Sequence, residues 1–313
     1  MKKIIVTGAS GFIGRSLVKK LSLNKKNIVY ALDNDLRGSL MKINSSQNIV
    51  KKKIDILNYK KLEKIFKNCH SCFHLAALNG TKNFYDFPKK VLEVGIQGTI
   101  NVLNLCIKNK VKKFIYFSSS EAYQKPKHIP TTENEVLKIP DIFNPRFSYG
   151  GSKLIGELLT VNYFRETKVH YNIIRPHNVY GPDMGVDHAI PQLIKKISKK
   201  KNKKKIKLKI LGSGNETRSY IYIDDAINGI LKIYRKGKKN SVYNLGTLNE
   251  ISIKKIVQKL SKILKINITI IKGNLFKGSV LRRCPDIKKL KQLGFKINFS
   301  IDYGLKKMLA FYF

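Results

Sequence analysis

Tyr149 and Lys153 stand four residues apart where a helical period begins, so the two side chains share one face. A free phenol ionises near pH 10, and a phenolate at neutral pH requires a depression of about 3 units, roughly 4 kcal/mol. A neighbouring ammonium, joined by a cationic cofactor ring in a partly dry site, supplies that much. Tyr149 is therefore a candidate general base. In a lysine-rich chain the same spacing also describes a first-turn tyrosine beside an unrelated lysine. Ser119 follows an apolar run, 114–117, and stands where it can hold a substrate hydroxyl.

A second set of residues opens the chain. Ile4, Ile5 and Val6 form a short apolar run that breaks at Thr7-Gly8, after which Phe12, Ile13, Leu17, Val18 and Leu21 recur at helical spacing. Gly8, Gly11 and Gly14 fall in the turn between strand and helix. Glycines there let the backbone bend sharply, bring bare amides against a pyrophosphate and seat the helix on the strand. The helix N-terminus then faces the negative charge. The pattern is G-x-x-G-x-x-G, not G-x-G-x-x-G, and its place directly after a strand points to a dinucleotide over a plain turn. About 20 residues on, Asp33-Asn34 closes the next apolar run, where a carboxylate accepts hydrogen bonds from ribose hydroxyls and repels a 2′-phosphate. NAD is favoured over NADP on that ground. A local capping role for Asp33 stays open, and Arg37 close by weakens the preference.

Holding these groups together takes a sheet. Apolar runs at 28–32, 54–56 (read as the end of a third strand), 72–75, 114–117 and 171–175 alternate with helical patterns at 62–66, 91–107 and 149–164. That alternation argues for an α/β fold with a doubly wound parallel sheet, whose ligands bind at the carboxyl ends of the strands. Ala76 and Ala77, after Leu75, are small enough to run close beneath a cofactor. Beyond Pro176 the alternation fades: a loop at 177–191, strands at 207–211 and 220–223, a helix at 224–234 capped by Asp224, strands at 242–245 and 266–271, and a helix at 252–264. The expected organisation is a dinucleotide-binding domain at 1–176 and a smaller α/β lobe at 177–313 that covers the cofactor, the two interleaved.

The 313 residues carry 62 Lys and Arg against 20 Asp and Glu, a net charge of +42. Such a balance raises nucleic acid or an anionic membrane as a partner. The lysines are spread over almost every expected helix and surface segment, however, with no aromatic residues interleaved, so a stacking platform is not expected. The densest run, 195–209, reads as a helix end entering a surface loop. No apolar run reaches membrane-span or signal-peptide length, and four cysteines suit a reducing compartment, so a cytoplasmic protein is expected. Cys69-His70-Ser71-Cys72 with His74 resembles a metal or redox motif, but the segment falls on a buried strand whose side chains alternate faces, and no second ligand pair accompanies it. No metal is expected.

Taken together, the segments 7–14, Asp33-Asn34, Asp55-Ile56, 74–77, the serines before Tyr123, 149–153 and 175–182 resemble the extended short-chain dehydrogenase/reductases that act on nucleotide sugars. The resemblance extends to 212–214, 217–225 and 284–289 and covers nearly the whole chain. It implies that Ser119, Tyr149 and Lys153 form a catalytic triad. It also implies that Gly8, Gly11, Gly14, Asp33, Asp55 and Ile56 hold NAD, flanked by Phe12, Ile13, Asn34, Leu75, Ala76 and Ala77. Asn178 and Arg218 would contact the diphosphate of a nucleotide-diphosphate sugar, with Ser120 and Glu121 beside the sugar. Two departures stand out: Gly95 replaces a polar residue ahead of Gly98-Thr99, and Phe276-Lys277 stands where a substrate arginine is usual, with Arg282 or Arg283 as substitutes.

The resemblance also bears on the reaction. Dehydratases of the family have an Asp-Glu pair after the serine, whereas this chain has Ser120-Glu121; decarboxylases carry such a Ser-Glu pair. An epimerase, which requires no acid, is the expected activity, acting at C4 through a transient keto sugar. A 4,6-dehydratase or a glucuronate decarboxylase is the alternative. The apolar residues spread round the helix at 91–107, with the helix at 149–164, imply a homodimer.

Overall fold

The computed structural model describes residues 1–200 and 202–313. Seven strands form one parallel sheet: β1 (Lys2–Thr7), β2 (Asn27–Asp33), β3 (Ile49–Lys53), β4 (Ser71–His74), β5 (Lys113–Phe117), β6 (His170–Pro176) and β7 (Ser241–Leu245). Their spatial order is β7-β6-β5-β4-β1-β2-β3. The chain winds outward from β1 to β3, then returns to lay β4 on the other side of β1, so the order reverses between β1 and β4. The carboxyl ends stay level there: Thr7 pairs with Leu32 on one side and with His74 on the other. A reversal with level ends leaves a crevice above the strands, where no crossover helix covers them.

The strands are buried on both faces and read as continuous apolar runs for that reason. Ile4, Val6, Phe73, Ile115 and Phe117 pack into one core with α1 (Phe12–Ser22), while Ile5, Cys72, Phe114 and Tyr116 pack into a second with α2 (Tyr59–Phe66), α3 (Pro88–Lys108) and α4 (Phe147–Tyr163). His74 belongs to this buried layer. One ring nitrogen meets Thr7 Oγ1 at 2.7 Å and the other Thr99 Oγ1 at 3.1 Å. Burial lowers its pKa to about 3, so it is a neutral core histidine. Gly95 has a packing role: a Cβ there would lie 2.6 Å from Cβ and Oγ of Ser152, so glycine lets α3 approach α4.

Several sequence boundaries shift. β3 ends at Lys53, which leaves Ile54, Asp55 and Ile56 in the turn beyond it, because Leu57 N–H bonds back to Asp55 Oδ1. The helix expected to be capped by Asp224 runs Ile223–Lys236 with Tyr222 at its cap; Asp224 and Asp225 occupy the first turn, where carboxylates favour the helix dipole. Asp225 turns inward and accepts bonds from Asn298 and Phe299 amides, tying down the chain's last segment. Pro191, expected in a loop, lies in the first turn of the helix Ala189–Ser198, where a missing N–H costs nothing. The densest lysine run ends that helix and enters the strand Lys205–Lys209, paired in parallel with Asn267–Ile271; Lys201 of the run lies outside the described residues. The strand expected at 220–223 is only Ile221–Tyr222, which pairs with Val179–Tyr180, and a separate strand precedes it at Thr217–Ser219, which pairs with Glu250–Ser252 and Arg282–Arg283. The apolar run at 242–245 becomes β7, completing the main sheet beside β6.

Candidate active site

A cleft of about 620 Å³ lies over the carboxyl ends of β1, β2, β4 and β5. At its base the three glycines do different work. Gly8 has φ +70, and a Cβ on it would sit 2.7 Å from Ala76 N and 2.8 Å from Leu75 C, so the β1 and β4 turns touch backbone to backbone. A Cβ on Gly14 would run into the Gly8 carbonyl oxygen, so this glycine seats α1 on the turn. Gly11, at the helix cap, meets only its own loop and faces the cleft. No side chain caps α1 and its first turn has no acidic residue, so the first amides are left for an anion.

The second strand closes the other side. Asp33 Oδ2 accepts the Ser10 amide at 2.9 Å and Oδ1 accepts the Asp35 amide at 2.9 Å, so the carboxylate braces the glycine turn and keeps further acceptor capacity toward the cleft. Asn34 Nδ2 donates to Asp55 Oδ2 at 3.0 Å, which holds Asp55 and Ile56 at the same wall. Backbone that a side chain would block, free helix amides and a strand-end carboxylate are what a dinucleotide requires, and the residues fit NAD.

Opposite them, β5 and α4 deliver the three residues expected to form the triad. Ser119 caps the short turn Ser120–Tyr123 and lines the cleft with Ser120 and Glu121. Tyr149 is buried, with its ring stacked on Phe84 at 5.0 Å. Lys153, one turn on, is buried with Nζ donating to Phe117 O at 2.7 Å and 5.7 Å from the Tyr149 ring centre. Burial lowers the Lys153 ammonium to about 7, with Glu157 opposing. Burial and the Glu121 charge push the Tyr149 phenol up, with Ser119 and Arg37 opposing. The protein matrix alone does not make a phenolate; the depression needs the positive charge that NAD brings when bound.

Behind the site, Glu157 accepts Ser118 Oγ at 2.5 Å and Arg175 Nη2 at 2.6 Å in a buried ion pair. Glu121 is also committed. Arg283 grips its carboxylate through Nη1 at 2.5 Å and Nη2 at 2.9 Å, and although burial opposes it, this guanidinium with Arg146 and Arg218 holds Glu121 down to about 2. Asn178 lines the cleft with a buried Nδ2 that has no partner among the described residues.

Of the residues given triad, cofactor or substrate roles in the sequence, all but Arg218 line this cleft. The Arg218 guanidinium donates to the carbonyls of Thr217, Leu281 and Val280, at 2.6 Å for the last. Of the two late arginines, Arg283 lines the cleft, whereas Arg282 is half-exposed and pairs with Glu250 at 2.6 Å. The segment 276–278 packs instead at the entry of α4, where a Cβ on Gly278 would meet Phe147 at 2.9 Å. Beside Arg37, which the sequence placed near Asp33, the rest of one wall went unread: Lys42, the loop 183–188, and Tyr312 next to the end of the chain. No spacing connects these, since they meet only through tertiary structure. Cys69, Cys72, Cys106 and Cys284 are buried free thiols, and among the described residues no three His, Cys, Asp or Glu groups converge as metal ligands.

Residues 4–246 match the NAD dependent epimerase/dehydratase family. The chain belongs to that family. It is therefore an NAD-dependent enzyme of the nucleotide-sugar epimerase/dehydratase group. Among similar proteins is one of Methanocaldococcus jannaschii provisionally named a UDP-glucose 4-epimerase, 32% identical over 98% of this chain and 97% of its own length. UDP-glucuronic acid decarboxylase 6 of Arabidopsis thaliana is 28% identical over 98% of this chain and 87% of its own. Among solved structures, the UDP-glucuronic acid 4-epimerase of Bacillus cereus, in complex with UDP-glucuronic acid and NAD, superposes with a TM-score of 0.89 at 29% identity, covering 99% of this chain and 98% of that one. The UDP-glucose 4-epimerase of Thermotoga maritima, with UDP-glucose, gives 0.87 at 28% identity with the same coverage.

Proposed function

We propose that this family member is a nucleotide-sugar 4-epimerase that works on bound NAD. Tyr149 takes the proton of the sugar C4 hydroxyl, Lys153 holds the cofactor ribose and supplies positive charge beside the phenol, and Ser119 holds the hydroxyl in line. NAD, when bound, supplies the hydride acceptor. Once a 4-keto sugar has turned over in the cleft, Tyr149 would give its proton back to the C4 oxygen as hydride returned to the other face. Asn178, whose Nδ2 lines the cleft without a partner among the described residues, receives the diphosphate end. The glycine-turn residues, Asp33, Asn34, Asp55 and Ile56 hold the cofactor, with 1–176 as the dinucleotide domain and 177–313 as the interleaved substrate lobe.

The observation that carries the choice of reaction is the state of Glu121. Elimination of water needs a carboxylic acid beside the sugar, and a carboxylate gripped by Arg283 and held at about 2 is not a proton donor at neutral pH. Ser120, the other member of the pair, is no substitute. Epimerisation needs neither. The Ser120-Glu121 pair and the decarboxylase relatives support a second reading, in which a uronic acid substrate loses carbon dioxide. Incubation with UDP-glucose and UDP-glucuronate followed by mass analysis decides between them. An epimer of unchanged mass is expected, whereas a loss of water or of carbon dioxide overturns the assignment.

A homodimer formed through α3 and α4 belongs to the same reading. The expected apolar arc of α3 is largely covered by the chain itself, since Val91, Val94, Val102, Leu103 and Leu105 are buried. Exposed apolar side chains remain on both helices, Leu158 on α4 at 56% exposed and Leu92 and Ile107 on α3 at 38% and 36%. Light scattering at micromolar concentration is expected to give twice the 35.8 kDa chain mass, and a monomer there rejects the dimer. A cytoplasmic location belongs to the same reading; among the described residues no helix is long and apolar enough to cross a membrane.

A further inference from the structure

The wall missed by the sequence is fastened by charge. Asp183 sits at φ 60, in the left-handed region, at the start of the 183–188 loop, which lines the cleft across from the glycine turn. Its Oδ2 meets Arg15 Nη2 at 2.6 Å and its Oδ1 meets Lys42 Nζ at 3.1 Å. The same Arg15 also donates to the carbonyl of Asp183 at 2.9 Å and to the carbonyl of Ser10 inside the glycine turn. On the next residue, the Met184 carbonyl accepts the Tyr312 hydroxyl from the chain's last helix. Three separate parts of the chain thus converge on the first two residues of one loop.

The charge placement tells what this arrangement does. Arg15 follows Gly14 and would be free to meet the cofactor's phosphates, yet it is only 14% exposed and spent on Asp183. The Lys42 contact is half-exposed and of the kind that salt screens. Neither group touches the reacting end, where Tyr149 and Lys153 lie.

We propose that Asp183 is a positioning residue for the cofactor: by bridging Arg15 and Lys42 it latches the 183–188 loop over the dinucleotide cleft and retains NAD between turnovers. This rests on the reading of the protein as an enzyme that cycles bound NAD. In an epimerase the hydride is returned within each turnover, so no step requires the cofactor to exchange, and a slow release costs the reaction nothing.

The test follows release of isotopically labelled NAD from the full-length protein into excess unlabelled NAD. Asp183→Asn, which keeps a residue that tolerates the left-handed backbone, is expected to release NAD about tenfold faster at low salt, and Arg15→Gln faster by less. The double variant is expected to be no faster than Asp183→Asn alone, because that change already removes both charge pairs. At about 1 M salt the wild-type and Arg15→Gln rates are expected to rise toward that of Asp183→Asn, whose own rate stays flat, because the half-exposed Lys42–Asp183 pair is screened. Release from both single variants at the wild-type rate, additive effects, or a wild-type rate indifferent to salt each overturn the latch. Failure of the wild-type protein to hold labelled NAD at all would instead overturn the NAD-cycling reading beneath it.

Discussion

Tyr149→Phe is expected to lower kcat by a factor on the order of 10² to 10⁴ while NAD retention and substrate KM stay near wild type. The ring's packing survives the change: it stacks on Phe84 and is held by α4, and only the hydroxyl is lost. The protein surroundings push this phenol up through burial and Glu121, so its function as a base depends on positive charge from Lys153 and from NAD. Activity should therefore rise with pH along a limb set by the phenol in the loaded enzyme, and that limb should vanish in Tyr149→Phe. Steady-state kinetics over a pH series measures both effects. Near-normal turnover in the variant, or an unchanged limb, removes Tyr149 from the role of base.

Lys153→Met is expected to reduce kcat at least as far and, unlike most active-site changes, to raise stability. Lys153 is buried and its only described hydrogen bond is to Phe117 O. Burial takes its pKa from the ordinary 10.5 to about 7. With the folded value below the unfolded one, the unfolded chain holds the extra proton between about pH 7 and 10.5, so this group's contribution to stability rises with pH across that window. The full cost is present below pH 7 and gone above 10.5. Removing the amine relieves that cost, on the order of a few kcal/mol at pH 6, and offsets it by about 1 to 3 kcal/mol for the lost bond to Phe117 O. The variant's Tm should exceed that of the wild type at pH 6 and the difference should shrink or reverse toward pH 10. A difference independent of pH would contradict the assigned cause. The opposition between stability and activity is typical where a buried charge is kept for chemistry.

The strand, glycine turn and helix proposed to hold the dinucleotide are legible in the sequence because their requirements are local. A strand, a turn of bare amides and a helix start lie within fourteen residues, and each glycine's role follows from backbone contacts inside that unit or with the next strand's turn. The same holds for Tyr149 and Lys153, since a helix places residues four apart on one face, and for β1, β2, β4, β5 and β6, whose apolar runs need no partner to be recognised. Boundaries slipped where side-chain bonds decide them, as at Asp55, which turns the chain after β3.

What only the tertiary structure decided is pairing across long separations. Glu121 reads as a free carboxylate until Arg283, 162 residues away, grips it, and that contact turns a candidate acid into a fixed anion. Arg218 reads as a phosphate ligand until three carbonyls occupy its guanidinium. Asp183 is a loop residue until Arg15 and Lys42 reach it. Composition and period report which face of an element is buried, because burial is paid residue by residue along the chain. They are silent on which charges meet, because a guanidinium finds its partner through the fold, and in a chain with 62 cations for 20 carboxylates the sequence leaves each carboxylate many possible partners.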